Sequence, residues 1–179
     1  EEYIRKAVAE AALDPENYKY ALGDLPELTD AVIKRFENRY GVKLSCDEIT
    51  SVYGSQEGIA HIGMVLCDQK DVVLVPNPGY PVFGIGPGLA GAEVVTYDLL
   101  KERGYLPDLT AIPEEIAERA KFIIVSYPLN PVCKAAPESF YEELIAWARK
   151  YGVWVVHDNA YSDIIFDGRE GKSFLSYQG

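Results

Sequence analysis

The sequence predicts an α/β fold, a three-layer α/β/α sandwich around a mostly parallel sheet. Two observations carry that expectation. Apolar, strand-length runs recur along the chain with helix-period segments between them, the order that builds layered α/β domains. Several of the runs are continuous rather than alternating, which suits strands covered on both faces.

In chain order, the first residues fall straight into a helical pattern. Leu28 to Tyr40 also has helical periodicity and stops at Gly41, a common C-terminal signal. Ile49 to Tyr53 is the first strand-like run. Gly54-Ser55-Gln56-Glu57-Gly58 follows it and opens a helical pattern through Ile59, Ile62, Gly63 and Leu66. Val72 to Val75 is the second strand, leading into the stiff loop Pro76-Asn77-Pro78-Gly79-Tyr80-Pro81. Beyond it, Pro87 and its neighbouring glycines restrict any helix to a short or kinked one. Val94 to Tyr97 and Phe122 to Val125 are further strands. Ser139 to Tyr151 is an amphipathic helix stopped by Gly152, and Val153 to Val156 is the last strand, running into His157-Asp158-Asn159-Ala160-Tyr161. There is no internal repeat, low-complexity tract or linker, and both ends of the 179 residues look cut.

Composition narrows the function. Apolar residues at 48% and charged residues at 25% describe an ordered globular chain. A net charge of -11 without a basic stripe argues against nucleic acid and anionic membranes as partners, because phosphates are held mainly by clustered Lys and Arg. No apolar run is long enough to cross a bilayer and the first residues do not resemble a signal peptide, so a cytoplasmic protein is expected. Cys46, Cys67 and Cys133 are odd in number and lack CxxC spacing, which suggests neither a disulfide framework nor a metal site.

Four strand ends carry candidate chemistry. The glycine turn before Ser55, Gln56 and Glu57 leaves helix N-terminal amides free for a phosphate, although such a glycine also serves as a plain turn. Tyr80 sits on a proline-stiffened loop and could present a flat ring to a planar ligand or pack over its own loop. Asn130, in Tyr127-Pro128-Leu129-Asn130-Pro131, offers an amide from an extended segment or bonds its own turn. Asp158 and Tyr161 bring an acid and a phenol to the end of a strand, where ligands of α/β proteins bind; helix capping or a structural ion pair is the alternative for Asp158.

Taken together, the run from Tyr18 to Gly23, Gly54-Ser55-Gln56-Glu57-Gly58, Pro76 to Tyr80, Tyr127-Pro128-x-Asn130-Pro131 and Asp158-x-x-Tyr161 resembles the large domain of class I/II, fold-type I aminotransferases. It is most similar to the LL-diaminopimelate and aspartate aminotransferase-like branch. The resemblance spans Tyr18 to Phe174, about half of a typical member. It implies pyridoxal 5'-phosphate as cofactor, with Asp158 at the pyridine nitrogen, Asn130 and Tyr161 at the ring's phenolic oxygen, and Tyr80 stacked on its face. Ser55, Gln56 and the backbone of Glu57 would hold the phosphate. Tyr18 matches the position that reaches the phosphate of a partner subunit, which implies a homodimer. Amino acids and 2-oxo acids are the implied substrates.

The family's Schiff-base lysine motif and its C-terminal small domain have no counterpart among these residues, so the segment is expected to be a partial, cofactor-binding large domain that is not competent alone. Lys172, in Gly171-Lys172-Ser173, lacks the motif's context. Asn130-Pro131-Val132-Cys133-Lys134 also departs from the family's usual threonine, glycine and alanine after the Asn-Pro pair. Cys133 would strain a turn if its φ were positive, and Lys134 beside it raises the prospect of a reactive thiol. Lyases, decarboxylases and synthases of the same fold share the Asp158 and Tyr161 logic, and a non-catalytic binding or oligomerisation module is the reading from a different class.

Overall fold

The computed structural model describes residues 1–178, which divide into two compact units, Glu1–Arg39 with Lys43–Ser51 and Tyr40–Val42 with Val52 onward. The first unit contains α1 (Glu2–Ala12) and almost all of α2 (Pro26–Tyr40), with a 3-10 turn at Pro15–Tyr18 between them. Asp14 starts that turn by accepting a hydrogen bond from the Glu16 amide at 3.0 Å, and the Tyr18 hydroxyl donates to the Ala12 carbonyl at 2.6 Å.

The expected strand Ile49 to Tyr53 does not form. Ile49 itself is extended, with φ -127° and ψ 134°. The run pairs with no other strand among the described residues, because its amides are taken by turn carbonyls and by carboxylates. Ile49 donates to Cys46, Ser51 to the Asp24 carboxylate at 2.8 Å, Tyr53 to the Glu57 carboxylate at 2.5 Å, and Gly54 to Val52. The two Ser51 hydrogen bonds hold the exposed Asp24 carboxyl below its ordinary range.

The second unit is built on β1 (Val72–Asn77), β2 (Glu93–Asp98), β3 (Ala120–Ser126) and β4 (Trp154–Asp158), in the order β2-β1-β3-β4 with every neighbouring pair parallel. The continuous apolar runs of β1 and β3 form the middle of the sheet and are buried almost throughout, as predicted. The outer strands differ: β2 is largely exposed and β4 is half-buried, with Trp154 66% exposed at its start. Apolar runs alone could not separate central from edge strands.

Around the sheet lie α3 (Ser55–Leu66), α4 (Val82–Leu89), α5 (Glu114–Ala117) and α6 (Glu138–Tyr151), the last ended by Gly152 in the left-handed region as its sequence predicts. From β1 the chain steps through α4 to β2 on one side, whereas from β3 it steps through α6 to β4 on the other. Right-handed crossovers in opposite directions place α4 and α6 on opposite faces, which gives the α/β/α layering. The carboxyl ends of β1 and β3 therefore flank a switch point, where open α/β sheets bind ligands.

Phe83, Leu74, Phe122, Ile123, Ile124, Leu129 and Leu144 fill the core. Tyr97 and Tyr127 cross it and keep their hydroxyls paired, to the Ile124 carbonyl at 2.6 Å and the Tyr105 carbonyl at 2.7 Å, and burial pushes both phenols up. α4 is short, as Pro87 requires, and it crosses α3 at unusually close range. A Cβ at Gly86 would stand 2.7 Å from the Ala60 Cα, and one at Gly63 2.7 Å from the Pro87 Cα. Only glycine lets the two backbones meet there. Among the described residues no helix is long and apolar enough to cross a membrane, and no cluster of His, Cys, Asp and Glu could hold a metal ion.

Candidate cofactor site

A cavity of 230 Å³ opens at this switch point, and six of the predicted residues line it: Ser55, Gln56, Tyr80, Asn130, Asp158 and Tyr161. They come from four separate stretches of chain, each following a strand or a strand-like run. The cavity has two walls, one made by α3 and the loop before α4, the other by the ends of β3 and β4.

On the first wall, Gly54 makes the turn into α3 with φ +89°, a backbone that a side chain would strain. Ser55 and Gln56 open the helix, where amides lack intrahelical acceptors and the helix dipole is positive. Glu57 is also in the first turn but does not line the cavity, and its carboxylate is folded back onto the Tyr53 amide. Tyr80 forms the adjoining side, with its hydroxyl donating to Gln56 Oε1 at 3.3 Å and its ring edge-on to Phe83 at 6.2 Å.

On the second wall, β3 and β4 run in register with Ser126 opposite Asp158. The Ser126 hydroxyl lies 3.4 Å from Asp158 Oδ2 and lines the same cavity. Burial raises the Asp158 carboxyl above its ordinary value, and the Ser126 hydrogen bond opposes that shift. A partly buried acid with one hydroxyl partner is suited to a cationic N–H, which would stabilise its ionised form. Asn130 and Tyr161 stand at the exposed mouth and also border a second, larger cavity of 650 Å³ that has Cys133 on its wall. Cys133 is exposed and adopts φ +55°, the positive value on which the expected strain depended, with its amide donating to the Leu129 carbonyl. Tyr18 belongs to the other unit, where its hydroxyl is held by Ala12.

Sequence reading passed over Ser126, His157 and Asn159. Nothing local marks Ser126, whose importance comes from cross-strand register with Asp158. His157 and Asn159 flank Asp158, and each has a buried polar atom without a hydrogen-bond partner, Nε2 and Oδ1 respectively. The signal available in sequence was that polar residues bracket the acid at the end of an apolar run.

The residues present fit a planar, phosphorylated pyridine: amide donors at one end, an aromatic wall, an acid at the floor, and an amide and phenol at the mouth. A parallel α/β sheet with this set at its switch point defines a class, the fold-type I enzymes. Residues 2–176 match the family described as aminotransferase class I and II, and the chain belongs to that family, whose members depend on pyridoxal phosphate. It is 43% identical to the LL-diaminopimelate aminotransferase of Halothermothrix orenii over 98% of this chain and 46% of that protein. With the enzyme of the same name from Moorella thermoacetica it shares 44% identity over 98% of this chain and 45% of that one. A solved structure of a probable N-succinyldiaminopimelate aminotransferase from Thermus thermophilus superposes with a TM-score of 0.86 at 35% identity, over 97% of this chain and 47% of the other. The chain thus spans about half the length of the relatives it matches.

Proposed function

We propose that this chain is the cofactor-binding part of the large domain of a pyridoxal phosphate-dependent aminotransferase, working as a cytoplasmic homodimer. The observation that carries the reading is the meeting of six separately predicted residues around one cavity at the sheet's switch point. When bound, the cofactor's protonated ring serves as an electron sink for the bond changes at the substrate's α-carbon. Asp158 keeps the ring nitrogen protonated by remaining ionised beside it, and Ser126 holds the carboxylate. Asn130 and Tyr161 donate to the phenolic oxygen, Tyr80 covers the ring face, and Ser55, Gln56 and the Glu57 amide bind the phosphate. Tyr18 serves the partner subunit's phosphate. None of the ten lysines lines the cavity, so the lysine that moves the α-proton is assigned to a segment outside these residues. The amino donor we propose is LL-diaminopimelate, with a 2-oxo acid as acceptor, on the strength of the relatives' names.

The test is titration of the protein, expressed from its full reading frame, with pyridoxal 5'-phosphate, followed by its absorbance and fluorescence. Saturable binding is expected, and Asp158→Asn should weaken it by about tenfold or more, the worth of one charge-assisted hydrogen bond. A wild-type protein that takes up no cofactor overturns the reading. Amino transfer from LL-diaminopimelate to 2-oxoglutarate tests the substrate, and a preference for an unrelated amino acid would reject that part alone.

A further inference from the structure

The contact of α3 with α4 fixes where α3 lies, but it does not reach the turn that leads into the helix. The Tyr53 side chain is wholly exposed, and a Cβ at Gly54 would meet nothing within 4 Å, so packing does little to hold the entering chain. Gly54 is the N-cap, at φ +89° and ψ 146°, and as a glycine it offers no side chain to the amides of the first turn.

Hydrogen bonds hold this turn instead. The Gly54 amide donates to the Val52 carbonyl at 2.8 Å, and the Tyr53 amide donates to the Glu57 carboxylate at 2.5 Å. A glutamate at the third helical position that reaches back to the backbone ahead of its helix is half of a capping box. The other half, a serine or threonine at the N-cap, is missing here. Among the described residues Glu57 is the one side chain that hydrogen-bonds the backbone of residues 52–54. Its charge sharpens the point. An acid in the first turn suits the helix dipole, yet it repels a phosphate bound at the same helix end, so it is a cost to anion binding unless it contributes something else there.

We propose that Glu57 is a positioning residue: by holding the Tyr53 amide, its side chain fixes the Gly54 turn and with it the direction in which the Ser55 and Gln56 amides face the cofactor's phosphate. This rests on the cofactor reading above, which puts the phosphate at those amides. The side chain acts by geometry rather than by charge, since a neutral amide oxygen in the same place accepts the same bond. Its effect falls on the phosphate end of the ligand. The pyridine end, met by Asp158 on the other wall, is left as it was.

The experiment has two arms. In the protein without cofactor, hydrogen exchange at the Tyr53 amide is followed in wild type, Glu57→Ala and Glu57→Gln. With the Tyr53 side chain wholly exposed, protection of its amide depends on Glu57, and exchange should be about tenfold slower in wild type and Glu57→Gln than in Glu57→Ala. An equal rate in wild type and Glu57→Ala overturns the proposal. In the second arm, pyridoxal 5'-phosphate and pyridoxal, which lacks the phosphate, are each titrated into the three proteins. Glu57→Ala should bind pyridoxal 5'-phosphate about tenfold more weakly than wild type, although it has lost a negative charge near the phosphate. Glu57→Gln should restore binding to within about threefold, and all three proteins should bind pyridoxal alike. Glu57→Ala binding the phosphorylated compound as tightly as wild type, or losing pyridoxal in equal measure, overturns the proposal. So does Glu57→Gln behaving like Glu57→Ala, which would assign the effect to charge. A wild-type protein that binds no pyridoxal 5'-phosphate rejects the earlier reading instead, and the exchange arm still decides whether Glu57 holds the turn.

Discussion

The two walls of the cavity are held in place by different physics. Ser55, Gln56 and Tyr80 are positioned by backbones in contact, since α3 and α4 meet where Gly63 and Gly86 leave no space for a side chain. Asp158, on the other wall, is positioned by polar pairing at the level ends of β3 and β4, where the Ser126 hydroxyl lies 3.4 Å from its carboxylate and His157 precedes it. The first wall should therefore fail when volume is added and ignore pH. The second should tolerate small changes of volume and respond to protons.

The largest expected effect tests the first wall. Gly86→Val drives a branched side chain into the Ala60 and Ile59 backbone, which cannot rotate away, and should cost about 3 kcal/mol or more in urea unfolding. A loss that changed with pH would break the contrast between the walls.

Acid tests the second wall. His157 takes a proton near 6.5 when unfolded but only near 4 when folded, so its contribution to stability is complete above pH 6.5, declines as pH falls, and levels off below about 4. The loss amounts to about 3 kcal/mol, by direct conversion of that difference. Asp158 acts in the opposite sense, because burial raises its carboxyl in the folded state: its contribution is greatest in acid and is lost as pH rises through the folded value. Unfolding followed from pH 7 to pH 4 should show the net fall, and His157→Phe should flatten it. An unchanged pH profile in that variant would assign the fall elsewhere.

Smaller changes sharpen the comparison. Ser126→Ala removes the hydroxyl that supports the Asp158 carboxylate, should raise its pKa further, and should cost about 1 kcal/mol of cofactor binding at neutral pH. The measurement is cofactor affinity against pH, with the loss shrinking as the solution becomes more alkaline. Cys133→Gly relieves a side chain held at φ +55° and should stabilise the fold by up to about 1 kcal/mol, read as a small rise in melting temperature.

What could be read from sequence follows the same division. β1 and β3 were legible because strands buried on both faces need unbroken apolar runs, Gly54 because a positive φ favours glycine, and the Cys133 turn only through the glycine that the resembled family carries there. The Ile49 to Tyr53 run misled because β-branched residues favour an extended backbone, while a strand also needs a neighbour; here Asp24 and Glu57 take the amides. The six lining residues were found through motif order, which reports the spacing of strand ends. Ser126 and His157 were missed because their surroundings depend on cross-strand register and on an aromatic cluster assembled from α6 and Phe174, neither of which any local window contains.

The buried phenols have a practical consequence. The chain has 13 tyrosines, and some of them are sealed in the core. Burial pushes the phenols of Tyr97, Tyr127 and Tyr141 up, so these three resist ionisation until the core admits water. An ultraviolet trace recorded during an alkaline titration will therefore carry a late step from these three phenols without any label, and that step will mark the moment the core opens.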